Sequence, residues 1–86
     1  MSWRLIGKTD SIPTVEVWEY KRVGLKVHLT FTYVYDEKGR RRLFGNVSVR
    51  FNNYGKIHSL TVQQLLKLFE RKGIPAPDFI LEAERQ

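Results

Sequence analysis

Leu25–Tyr35 sorts its side chains by turns: Leu25, Val27, Leu29, Phe31, Tyr33 and Tyr35 at odd positions, Lys26, His28, Thr30, Thr32 and Val34 at even ones. Period-two alternation over this length predicts a half-buried antiparallel strand. Asp36-Glu37-Lys38-Gly39 comes next, with Asp and Gly where a type I turn closed by a left-handed glycine needs them, so Asp36 should pair with Arg40. Counting outward from that turn sets Tyr33 against Leu43, Phe31 against Gly45, Leu29 against Val47, Val27 against Val49 and Leu25 against Phe51. One face is then apolar. The reverse face pairs Thr32 with Phe44, Thr30 with Asn46, His28 with Ser48 and Lys26 with Arg50. Slipping by one residue would scramble this partition.

Thr14–Arg22 alternates as well, and two turns would join it to Leu25. In the first, Lys21-Arg22-Val23-Gly24 repeats the glycine-closed turn and pairs Lys21 with Leu25. Val15 and Val17 then join the apolar face, while Trp18 and Tyr20 stand on the other beside His28 and Lys26. In the second, a tight turn at Val23-Gly24 reverses the strand and buries both rings. Positive φ at a β-branched valine argues against it, so the first register is the expectation.

Trp3–Ile6 reads as a short first strand and Gly7 to Pro13 as a loop. After Asn52-Asn53-Tyr54-Gly55, a turn, Lys56–Ser59 is a short extended piece. A helix over 62–72 then has a marked start and end. Thr61 and Gln64 make a capping box, Val62, Leu65, Leu66 and Phe69 one apolar stripe, and Gly73 a Schellman-type stop. Pro75 and Pro77 keep that helix from continuing. Asp78–Arg85 suits one more short helix presenting Phe79, Ile80 and Ala83. Leu68, Phe79, Ile80 and Leu81 either fold back on the core or remain as surplus apolar surface, which would favour a homodimer. The fold class is α+β: a four-stranded antiparallel β-meander (about 3–58) with a C-terminal amphipathic helix packed on one face and a short tail over 74–86, all in a single domain spanning 1–86.

Composition narrows the chemistry. The 86 residues contain no cysteine, which excludes disulfides, thiolate metal sites and cysteine nucleophiles, and fits an intracellular protein, cytoplasmic or nucleoid-associated. No apolar run approaches a bilayer span, no signal peptide is visible, and no membrane partner is expected. The net charge of +6 is localised: between Lys21 and Lys56 nine basic residues face only Asp36 and Glu37. A basic block of this kind points to a polyanion.

The candidate binding residues are Trp18, Tyr20 and Phe44 as rings, Lys26, His28, Arg42 and Arg50 among them, and Arg40 and Arg41 in the basic hairpin tip. Rings that stack on bases, flanked by cations that follow phosphates, are the working parts of single-strand binding. The same rings could instead lie under the N-terminal strand or a second subunit, and the tip arginines could pair with Asp36 and Glu37. His28 and His58 have no zinc-ligand spacing, and neither shows a base–orienter pair of the sort a basic ribonuclease needs. No metal, cofactor or catalytic residue is expected.

Three stretches carry a resemblance. Ile6-Gly7-Lys8 ends the first strand. Val17-Trp18-Glu19-Tyr20-Lys21 precedes a glycine turn and a strand ending in Tyr33, Tyr35, Asp36 and Gly39. Ser59-Leu60-Thr61, with Gln64, opens the helix. In these, about half its length, the chain resembles the positive cofactor four transcriptional coactivators and their single-stranded-DNA-binding relatives. It departs from them in its long Leu43–Phe51 strand and the added Asn52–His58 connection. The resemblance implies a dimer through the helices and DNA on the exposed sheet face. The expected function is non-enzymatic nucleic-acid binding, to single-stranded DNA more than RNA. The alternative is a small protein-interaction module or inhibitor of viral or plasmid type.

Overall fold

A computed structural model describes residues 2–85, apart from the side chains of 83–85. The architecture is α+β: an antiparallel open sheet followed by C-terminal helices on one face. The strands are β1 (Arg4–Lys8), β2 (Thr14–Arg22), β3 (Leu25–Tyr35), β4 (Arg41–Leu43), β5 (Val47–Phe51) and β6 (Ile57–Leu60); the helices are α1 (Val62–Lys72) and α2 (Asp78–Arg85). Across the sheet the order is β1-β2-β3-β5-β6, with β4 paired to the far end of β3. The expected four strands thus become six. The long fourth strand is broken into β4 and β5, and the extended piece before the helix pairs with β5 as β6.

The break has a local cause. The β3–β4 turn forms as its sequence demands, with Gly39 at φ 75° and Asp36 N–H donating to Arg40 O at 2.8 Å. Tyr33 pairs with Leu43 as counted, but Leu29 then pairs with Val49 and Val27 with Phe51, a slip of two residues. Phe44-Gly45-Asn46 absorbs the slip, with Gly45 at φ 77°. An even slip keeps side-chain parity, so Val27, Leu29, Phe31, Tyr33, Val47 and Val49 are all buried on one face as expected.

The β2–β3 register is the second of the two, against expectation. Arg22 pairs with Leu25, Tyr20 with Val27 and Trp18 with Leu29. Only Gly24 takes positive φ, 77°, and Val23 does not. That is the demand of a type II turn, which asks for a left-handed residue at its second central position alone. Every side chain of β2 is therefore on the opposite face from the one expected. Tyr20 is buried, Trp18 packs against the core, and Val15 and Val17 stand on the helix-free face.

The helices close the core. α1 begins at the capping box, Thr61 Oγ1 accepting from Gln64 N–H at 3.1 Å and Gln64 Oε1 from Thr61 N–H at 3.0 Å. It ends at Gly73 with φ 67°, Ile74 N–H reaching back to Phe69 O at 2.9 Å. Arg22, placed under that end by the β2 register, donates to the carbonyls of Lys72 and Gly73, both at 2.9 Å. A cation there also suits the helix dipole. Leu65 and Phe69 are buried against the sheet. The tail folds back: Phe79 stacks on Phe31 with centroids 4.3 Å apart and meets Trp18 at 5.0 Å, and Ile80 is fully buried. Leu68 and Phe79 also pack on this core, which leaves Leu81 as the exposed member of the surplus set; the side chain of Ala83 lies outside the described residues.

Candidate nucleic-acid interface

Register and parity arrange the helix-free face in rows that run across the strands. One row is Arg4, Glu19, His28, Arg50 and Ile57, each paired with the next. Beside it Lys21 faces Lys26. On its other side runs a neutral row, Val17, Thr30, Ser48 and Ser59. Between the two rows lies an open depression of about 450 Å³, lined by Ile6, Val17, His28, Thr30, Arg50 and Ile57 among others.

Of the expected site residues, Lys26, His28, Arg42 and Arg50 are on this face. Trp18 and Tyr20 are not: both rings are on the helix side, so the stacking platform expected from the sequence does not exist. Arg41 is also on the helix side, its guanidinium 5.6 Å from the Tyr33 ring centroid and 5.7 Å from that of Phe79. Phe44 stands in the bulge and is 62% exposed. At the hairpin tip, Arg40 Nε and Arg42 Nε donate to Asp36 Oδ2 at 3.2 and 3.1 Å, while Asp36 Oδ1 takes the backbone N–H groups of Lys38 and Arg40. Arg40 and Arg42 are thus pinned to the turn by one carboxylate, and Asp36 is held below the usual carboxylate pKa, first by the Arg40 backbone hydrogen bond.

Glu19 is the residue that sequence reasoning missed, because the unexpected register is what sets it opposite His28. Its carboxylate lies 2.9 Å from His28 Nε2, 3.0 Å from Arg4 Nη2 and 3.6 Å from Lys21 Nζ. The hydrogen bond with His28, then Lys21 and Arg4, hold its pKa below the ordinary value. This supplies the carboxylate partner that the sequence did not show for His28. Such a pair is the orienting half of acid–base machinery. Among the described residues no nucleophile or second acid is hydrogen-bonded to His28, and no group of three or more His, Asp or Glu side chains gathers as a metal site. Arg50 contrasts with its neighbours: its Nε is buried without a hydrogen-bond partner among the described residues.

The Glu19 cluster should register in acid. A carboxylate whose folded pKa is depressed stabilises the fold above its unfolded pKa, and that contribution is lost as pH falls through the folded value. Thermal melts taken downward from about pH 5 should therefore show a steeper loss for the natural chain than for Glu19→Gln, with Asp36 leaving a residual slope in both. Parallel curves would mean that the cluster contributes nothing to folding.

Comparison with protein-family models, with curated proteins and with solved structures finds no match to this chain.

Proposed function

We propose that the chain is a non-enzymatic nucleic-acid-binding domain that lays its helix-free sheet face along a phosphate backbone, with single-stranded DNA as the ligand. The observation that carries this reading is the charge of that face. Arg4, Lys21, Lys26, Arg42 and Arg50 share it with two carboxylates, Glu19 within the sheet and Asp36 against Arg42 at the tip, and the hydroxyls of Thr30, Ser48 and Ser59 lie beside them. Cations and hydroxyls are the groups that hold phosphates in register. With Trp18 and Tyr20 in the core, affinity comes from the backbone, and base stacking is left to Phe44, 62% exposed in the bulge between β4 and β5. The resemblance to the positive cofactor four proteins supports the same ligand.

Lys26 and Arg50 are the cations to remove. Lys26 faces Lys21 across the strands, an unfavourable like-charge pair, and Arg50 leaves a buried donor without a partner. Lys26→Gln with Arg50→Gln should leave the melting temperature unchanged or slightly raised. Its affinity for a single-stranded oligonucleotide should fall, and the log–log salt slope should drop by roughly 1–2 if each cation meets one phosphate. Lys67→Gln with Arg71→Gln, on α1, should matter less. A greater loss in the helix pair would place the polyanion on the other side of the molecule and overturn the reading.

A second reading has its own observation. Ile6 and Ile57, 45% and 67% exposed, border the depression with Val17, an apolar rim that suits a protein partner. Binding to that face with little dependence on salt would favour it.

A further inference from the structure

The two edges of the sheet are unlike. β1 carries Arg4 and Lys8 at its ends and an irregular register between Leu5 and Gly7, the devices by which proteins stop a strand from recruiting another. β6, Ile57-His58-Ser59-Leu60, has no proline, no formal charge and no irregularity in its pairing with β5, and among the described residues it pairs with β5 alone. Alternate residues of such a strand direct their N–H and C=O groups outward. Alongside it runs a groove of about 570 Å³ between β6 and α1. Phe51, Leu60 and Leu68 give it an apolar floor. His58, Lys67, Arg71 and Lys72 line it too, with no carboxylate among the lining residues, and Lys72 Nζ sits 4.8 Å from the Phe51 ring centroid.

We propose that β6 and this groove take up an extended acidic segment of a partner protein by strand addition. The incoming strand would continue the sheet antiparallel or parallel to β6. Every second side chain would enter the groove, where apolar groups meet Phe51, Leu60 and Leu68 and carboxylates meet Lys67 and Arg71. Main-chain pairing supplies the attachment and the alternate side chains supply selectivity. Charge chooses the occupant. A second copy of this chain paired edge to edge would bring two cationic grooves together, whereas an acidic strand neutralises one. The site is separate from the helix-free face, so it does not depend on the nucleic-acid reading.

The test uses the full chain and a fluorescent peptide of alternating valine and glutamate. Binding is expected, with perturbed and newly exchange-protected amides over Ile57–Leu60. A valine–lysine peptide should bind far more weakly. Lys67→Glu with Arg71→Glu should weaken the acidic peptide about tenfold or more, as truncation or reversal of complementary charge does, while leaving the far-ultraviolet spectrum intact. A peptide N-methylated at alternate amides should lose binding. Equal binding of the N-methylated peptide would show plain charge attraction and overturn strand addition. So would self-association of the chain through these amides with no response to peptide, which would make a second copy the occupant. Displacement of the peptide by an oligonucleotide would overturn the separateness of the two sites.

Discussion

Phe69→Ala is expected to destabilise the fold by about 3–5 kcal/mol, the range for truncating a buried aromatic to leave a cavity. Phe69 is 1% exposed and lies against Trp3, with ring centroids 5.7 Å apart. It also sits where the helix stop reaches back, since Ile74 N–H bonds its carbonyl. Neither neighbour can collapse into the space without moving the α1 end or the N-terminal segment. Gln63→Ala, on the exposed side of the same helix, should change stability by no more than about 0.5 kcal/mol. Chemical denaturation of the two variants checks the pair, and similar losses in both would mean that the α1 stripe does not face the sheet.

Glu16→Leu should be the other severe change. Glu16 is 4% exposed among aromatic rings. Its Oε2 accepts from the Tyr33 hydroxyl at 2.7 Å and its Oε1 from Trp18 Nε1 at 2.8 Å, with Arg41 Nη1 3.9 Å away. Burial first, and then this carboxylate, hold the Tyr33 phenol protonated well beyond the ordinary tyrosine range. Removing the acceptor strands a buried hydroxyl and a partly buried indole N–H, at about 1–3 kcal/mol for a buried orphan. The total expected is about 2–4 kcal/mol. Adding Tyr33→Phe should return part of it, because replacing both partners by apolar groups removes the orphan. A double variant no more stable than Glu16→Leu alone would show that the hydrogen bond is not the source of the loss.

These two residues mark what could and could not be read from the sequence. Phe69 was legible because a helix stripe, a capping box and a glycine stop agree on one orientation. The core side of β3 was legible for the same reason, and it survived the slip at Gly45 because an even slip leaves parity alone. Glu16 was not legible. Both sides of β2 mix apolar and acidic residues, Val15, Val17 and Glu19 on one and Glu16, Trp18 and Tyr20 on the other, so periodicity could not choose. The choice was left to the turn, where a steric objection to Val23 overlooked the turn that asks positive φ of Gly24 alone. A signal was present: burying Trp18 and Tyr20 removes far more apolar surface from water than burying two valines. The candidate site inherits this division. Lys26, His28, Arg42 and Arg50 were found because β3 and its partners kept their parity. The Glu19–His28 pair was missed because it exists only in the other β2 register.

The hydrogen bond from Trp3 Nε1 to Pro75 O, 2.7 Å long and spanning 72 positions of chain, has a meaning in time as well as in space. Trp3 meets Tyr20 and Phe69 and shares a hollow with Pro75, Pro77 and Phe79. During synthesis at about 5–20 residues per second, Ile80 is made roughly 2–9 s after Tyr35 ends β3. For that interval β2 and β3 have been made, while Phe79, which covers the rings of Trp18 and Phe31, has not. The clasp thus waits on the later-made of its two ends, and Trp3 has no Pro75 carbonyl to reach until the strands and α1 have all been made.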